Sequence, residues 1–195
     1  MPLSAFFSYI FLTAFTPGPN NIMAMTNAGK YGFKKSLRFC VGVLLGFLFV
    51  MTGCAVFTTL LYRFIPRIEP AMVWVGAGYI LWLAWTIYRD KSGGEESSGA
   101  RSNSIAAGMM LQFVNVKVIL YGITAISTFV LPYCQTPYQI AFFVMILILM
   151  GFVGTCCWAL FGSVFQKLFA RYRKQLNAAM ALLLVYCAVS TVASI

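Results

Sequence analysis

Thr16-Pro17-Gly18-Pro19-Asn20-Asn21 lies inside the first long apolar run of the chain, which extends from about Leu3 to Ala28. Neither proline carries an N–H, so a helix entering this stretch leaves the carbonyls of Thr13 and Phe15 without helical donors. An unpaired backbone group in hydrocarbon costs several kcal/mol, and broken backbone at membrane depth is tolerated only where protein or a water-filled cavity surrounds it. Transporters build substrate sites from half-helices in this way. Gly18 can take backbone angles closed to other residues, and Pro19 suits the first turn of a restarted helix. The restart leaves the N–H groups of Asn20, Asn21 and Ile22 at a positive helix end, where a carboxylate binds readily. A kink that only shapes packing is the plainer alternative, since proline and glycine are frequent in membrane helices. Two prolines flanking a glycine and followed by two amides favour the binding role.

The rest of the chain supplies the setting. Of its 195 residues 61% are hydrophobic and 9% charged, with a mean hydropathy of +0.86. Soluble domains carry about a quarter of their residues as charges, so the composition predicts an all-α integral membrane protein. Six apolar segments stand out: Leu3 to Ala28, Phe39 to Leu61, Ala71 to Tyr88, Ser104 to Leu131, Tyr138 to Phe165 and Leu176 to Ile195. Crossing a hydrocarbon core of about 30 Å takes about 20 helical residues, and barrel strands would be half that length and alternate. Six transmembrane helices are expected. The first has no Lys or Arg before it and no clear A-x-A cleavage site, so it reads as a retained span. The whole of 1–195 is expected to form a single transmembrane transporter domain with no soluble part.

Eleven cations fall in the connections after the first, third and fifth segments: Lys30, Lys34, Lys35, Arg38; Arg89, Lys91, Arg101; Lys167, Arg171, Arg173, Lys174. The other two connections hold only Arg63 and Arg67. The positive-inside rule places the eleven in the cytoplasm and both termini outside. The stretch KSGGEESSGARSNS, Lys91 to Ser104, reads as a flexible cytoplasmic linker, 91–103. It divides the chain into halves of about 1–90 and 104–195. Three spans per half is an odd number, so the halves are expected to form two inverted three-helix repeats, each with a broken first helix.

Net charge is +10, yet the cations sit in short clusters beside apolar runs rather than over a polar surface, which argues against a nucleic-acid partner. The expected partners are a small-molecule substrate and the lipid bilayer, and a homo-oligomer is left open. Of the six cysteines, Cys40, Cys54, Cys156, Cys157 and Cys187 lie in apolar runs and Cys134 between them. With no CxxC pair and no histidine, a redox pair, a metal site and a His-based triad lack their parts, and no cofactor is expected.

Lys117 is the one charged residue within the apolar segments and falls near the middle of the fourth. Its stem is too short to reach an interface about 15 Å away, and intramembrane ionisable groups mark functional paths. Gln112 and Asn115, three apart, give the same helix a polar stripe. No Asp or Glu lies in any span, so a structural ion pair is excluded and a cationic ligand would meet only repulsion. A small neutral zwitterion fits: its carboxylate on Lys117 and the restarted helix end, its ammonium on the Thr13 and Phe15 carbonyls or on aromatic faces. Gly42 and Gly46 form a GxxxG that predicts close helix packing. The basic run QKLFARYRKQ reads as a segment at the headgroups.

The runs T-P-G-P-N-N, G-K-Y-G-F-K-K-S and G-V-L-L-G, with G-A-G-Y-I-L-W-L-A-W at Gly76 to Trp85, L-Q-F-V-N-V-K at Leu111 to Lys117 and L-L-L-V-Y-C-A-V at Leu182 to Val189, resemble the LysE/RhtB family of amino-acid exporters. Many members have Asn-Pro-Lys where this chain has Asn115-Val116-Lys117. That variant and the closing run imply export of cysteine and O-acetylserine across the inner membrane. Export of another small amino acid, of homoserine, threonine or leucine type, is the alternative within the family. The expected substrate-binding residues are Thr16, Pro17, Gly18, Pro19, Asn20, Asn21, Gln112, Asn115 and Lys117, with Lys117 also carrying a coupling proton.

Two other classes compete with a gradient-driven exporter working by alternating access. A membrane-embedded enzyme would need a buried acid, base or nucleophile pair, and only Lys117, cysteines and hydroxyls are available. A scaffold would have no use for a charged, broken interior. No P-loop is present, so energy must come from gradients.

Overall fold

The computed structural model describes residues 2–89 and 102–193, and these are helical with no strand. Helix α1 (Leu3–Phe15) stops before the prolines and α2 (Pro19–Tyr31) restarts with Pro19 in its first turn and extended Gly18 as its N-cap. Each has 13 residues, a length of about 20 Å, so neither crosses a membrane core alone. Ile22 donates to the Gly18 carbonyl at 2.9 Å, so of the three N–H groups expected at the restart only those of Asn20 and Asn21 belong to the open first turn. From Pro19 to Gly29 every residue of α2 is buried. A helix enclosed on all sides belongs in the interior of a bundle, although this one carries Asn20, Asn21, Thr26 and Asn27. Gly32, at φ 81°, turns the chain out of α2, a backbone angle that favours glycine.

Helix α3 is helical from Phe33 to Arg89 and spans two of the expected segments. Its ends run in opposite directions. Gly42 and Gly46 lie against Ile105 and Gln112, in step with α4 (Ile105–Val114). Gly76 lies against the Val114 carbonyl while the Tyr79 hydroxyl reaches back to Ala107. A straight helix would separate Gly42 from Gly76 by about 51 Å, against about 15 Å for all of α4. The chain therefore reverses between the two arms. Pro66 and Pro70, which weaken helical hydrogen bonding, fall between them in the sequence. The side chains of 59–73, including Arg63 and Arg67, lie outside the described residues, as do Lys91 and Arg101.

Close approach explains the GxxxG. A Cβ on Gly42 would stand 2.1 Å from the Ile105 carbonyl oxygen, and one on Gly108 2.3 Å from that of Phe39. Backbone packs on backbone there, and any side chain would force the helices apart.

Ser104 caps α4 by accepting from the Ala107 N–H at 3.1 Å. Asn115 interrupts the helix with φ −87° and ψ 95°. Helix α5 (Val116–Thr124) follows and runs into a π-helical turn, Ala125–Val130. The two parts of this segment bend by 64° at Asn115, without the proline that would ordinarily cause it. Gln112 and Asn115 thus do not share the face of one uninterrupted helix as expected. Helix α6 (Pro137–Val164) opens with a capping box of Thr136 and Gln139, which satisfies two donors reciprocally. Short α7 (Gln166–Arg171) and α8 (Arg173–Val192) close the fold.

Among the described residues, two stretches are long and apolar enough to span a membrane, Phe33–Val56 and Pro137–Val164, and the bent pair at Asn115 makes a third if read as one span. The end of the expected linker is tied down. Asn27 donates to the Ser102 carbonyl at 3.2 Å and Asn103 to that of Lys35 at 3.1 Å. The earlier part of that linker, 90–101, lies outside the described residues.

Candidate functional site

The two helix breaks meet. Across them the Lys117 Nζ donates to the Thr16 carbonyl at 3.0 Å. Beside it, Asn20 and Gln112 exchange side-chain hydrogen bonds, Asn20 Nδ2 to Gln112 Oε1 at 2.8 Å and Gln112 Nε2 to Asn20 Oδ1 at 3.1 Å. Asn115 Nδ2 also donates to Asn20 Oδ1, at 3.2 Å, and Gln112 Nε2 to the Gly108 carbonyl at 2.8 Å. These three amides are buried, so their mutual satisfaction is what makes the network affordable in an apolar interior.

Three carbonyls at the end of α1, one of them freed by Pro19, are met by side chains. Asn21 Nδ2 donates to Ala14 at 2.9 Å and to Thr16 at 3.0 Å. Trp158 Nε1 on α6 donates to Phe15 at 3.2 Å. The Phe15 carbonyl, expected to receive a substrate ammonium, is therefore engaged within the protein.

A small, partly open cavity lies at this junction. Gly18, Pro19, Asn20, Asn21, Asn115 and Lys117 line it on the side of the breaks. Three expected site residues do not. Thr16 and Pro17 are exposed, with Thr16 present through its carbonyl, which accepts from Lys117 and Asn21, and Gln112 is wholly buried behind Asn20. Gly18 is where the lysine stem passes: a Cβ there would meet Nζ at 3.1 Å and Cδ at 3.3 Å. Lys117 is half-buried and the one charged residue among those lining the cavity.

The opposite wall was not legible in the sequence. Phe47 of α3, Val118 and Tyr121 of α5, and Gly151 and Thr155 of α6 complete the cavity with Thr13 and Ala14. All are ordinary residues of apolar helices, and only their meeting in space marks them.

A helical bundle with two interrupted helices and one charge at their meeting point is the architecture of a membrane translocator. The LysE type translocator family matches residues 11–194, and the chain belongs to that family. It is 48% identical over 187 residues to the cysteine/O-acetylserine efflux protein of Escherichia coli (strain K12), an alignment covering 96% of this chain and 95% of that one. The proteins of the same description from Shigella sonnei (strain Ss046) and Shigella flexneri show the same identity and coverage. No solved structure matches the chain.

Proposed function

We propose that the chain exports small neutral amino acids, cysteine and O-acetylserine foremost, across the bacterial inner membrane by gradient-driven alternating access, without cofactor or enzymatic step. The observation that carries this reading is the Lys117 to Thr16 contact of 3.0 Å. It sets one positive charge, with no carboxylate among the lining residues, against the first turn of α2. A substrate carboxylate would take the ammonium and the Asn20 and Asn21 N–H groups. The names and 48% identity of the relatives support the choice of substrate.

In this reading the chain crosses the membrane six times. Helices α1 and α2 form one broken span, the arms of α3 two, and α4 with α5 a second broken span. The reversal within α3 and the bend at Asn115 support inverted halves of about 1–90 and 104–195. Lys117 carries the coupling proton, and both termini face the periplasm.

Efflux of labelled cysteine, O-acetylserine and threonine from proteoliposomes tests the proposal. Export of the first two over threonine is expected. Absence of flux would remove the carrier reading, and preference for threonine would move the chain to the other branch of the alternative.

A further inference from the structure

The cavity has two unlike sides. The breaks supply amides and an ammonium, and the far wall is aromatic and rigidly held. The Tyr121 hydroxyl donates to the Leu147 carbonyl at 3.2 Å, and its ring stacks on Tyr9 with centroids 6.0 Å apart at 14°. Phe47 meets the same ring edge-on at 6.3 Å and 82°. Gly151 lies one helical turn beyond Leu147, and Thr155 one turn further, its hydroxyl turned onto the Gly151 carbonyl at 2.9 Å. The hydroxyls of Tyr121 and Thr155 are thus committed to backbone, and aromatic faces are left to meet a ligand.

Resting on the exporter reading above, we propose that Phe47, held between Gly151 and Tyr121, sets the size of amino-acid side chain that the carrier accepts. With the ammonium and carboxylate groups at the breaks, the side chain points to this wall. A short thiol gains sulfur–aromatic contact there, an acetyl ester branches one bond further from Cα and passes Phe47, and a side chain branched at Cγ, as in leucine, meets the ring. Gly151 is the control point. A Cβ at that position would stand 2.7 Å from Phe47 Cζ and 2.8 Å from Cε1. These atoms are the far end of a ring, so the ring shifts while the helices hold. Tyr121, pinned by a hydrogen bond and two ring contacts, leaves Phe47 little room to retreat from a ligand.

The test is competitive export from proteoliposomes loaded with equal amounts of cysteine, O-acetylserine and leucine. Ratios between substrates do not depend on how much protein inserts. Gly151→Ala is expected to lower O-acetylserine relative to cysteine by about tenfold, the discrimination that one methylene in an apolar pocket gives. Phe47→Leu is expected to raise leucine relative to cysteine, and Tyr121→Phe, which frees the wall from Leu147, to blur all three. The two latter variants carry the test if Gly151→Ala fails to insert. Ratios unchanged across the variants, or equal loss of every substrate in all of them, would overturn this proposal alone. A wild-type protein that moves none of the three would overturn the exporter reading as well.

Discussion

The indole N–H of Trp158 reaches the Phe15 carbonyl at 3.2 Å, joining α6 to the last residue of α1. Pro19 stands where a helix would place the donor for that carbonyl, so the tryptophan does the work of the missing amide. Ala14 and Thr16 on either side are served by Asn21. Three successive carbonyls at the end of α1 thus end on side chains from other helical segments.

Replacing Trp158 with Phe keeps the ring and removes the donor. The stranded carbonyl should cost about 1–3 kcal/mol, seen as a lower melting temperature in detergent and reduced export from protein that still inserts. An unchanged melting temperature would mean that water or another donor takes the place of the indole.

The Asn20 and Gln112 pair should behave as a unit. Asn20→Leu alone leaves the Gln112 Oε1 without its donor and the Asn115 amide without its acceptor and should destabilise strongly, whereas adding Gln112→Leu should recover part of the loss. A double-mutant cycle is expected to give a coupling of about 0.5–3 kcal/mol. Strict additivity would show that the contact contributes nothing of its own.

Lys117→Met should abolish transport. Lys117→Arg keeps the charge but cannot release its proton, so it is expected to retain counterflow while losing accumulation driven by a proton gradient in inverted vesicles. Equal counterflow and gradient-driven uptake in Lys117→Arg would assign the coupling proton to another group.

Orientation is open to a direct check. Alkaline phosphatase fused at the C-terminus should be active and green fluorescent protein dark, as the distribution of eleven cations against two predicts. The reverse pattern would invert the topology.

What the sequence disclosed, and what it hid, follows from where the forces act. The break at Pro17 and Pro19 is local chemistry and is visible in six residues. The break at Asn115 is not, since Val116 could continue a helix. It arises where the Asn115 amide turns to Asn20, 95 positions away in the chain. The polar half of the cavity was therefore readable as unusual residues in apolar runs, while Phe47, Tyr121 and Gly151 look like any membrane helix until the helices are assembled. The contacts at the end of the expected linker were hidden for a related reason. SNS is a polar, turn-like string, yet Ser102 is held by Asn27 and Asn103 by Lys35 through contacts from α2 and α3.

The pairing of Lys117 with a neutral carbonyl rather than a carboxylate has an electrical consequence. A zwitterion brings no net charge, so a carrier whose lysine stays ionised returns empty with the same charge that it bore loaded, and membrane voltage does no net work over the cycle. If the lysine instead gives up its proton on one limb, one elementary charge crosses per turnover, worth about 2.3 kcal/mol for each 100 mV. The current carried by this protein would then count the protons exchanged, one for each amino acid expelled.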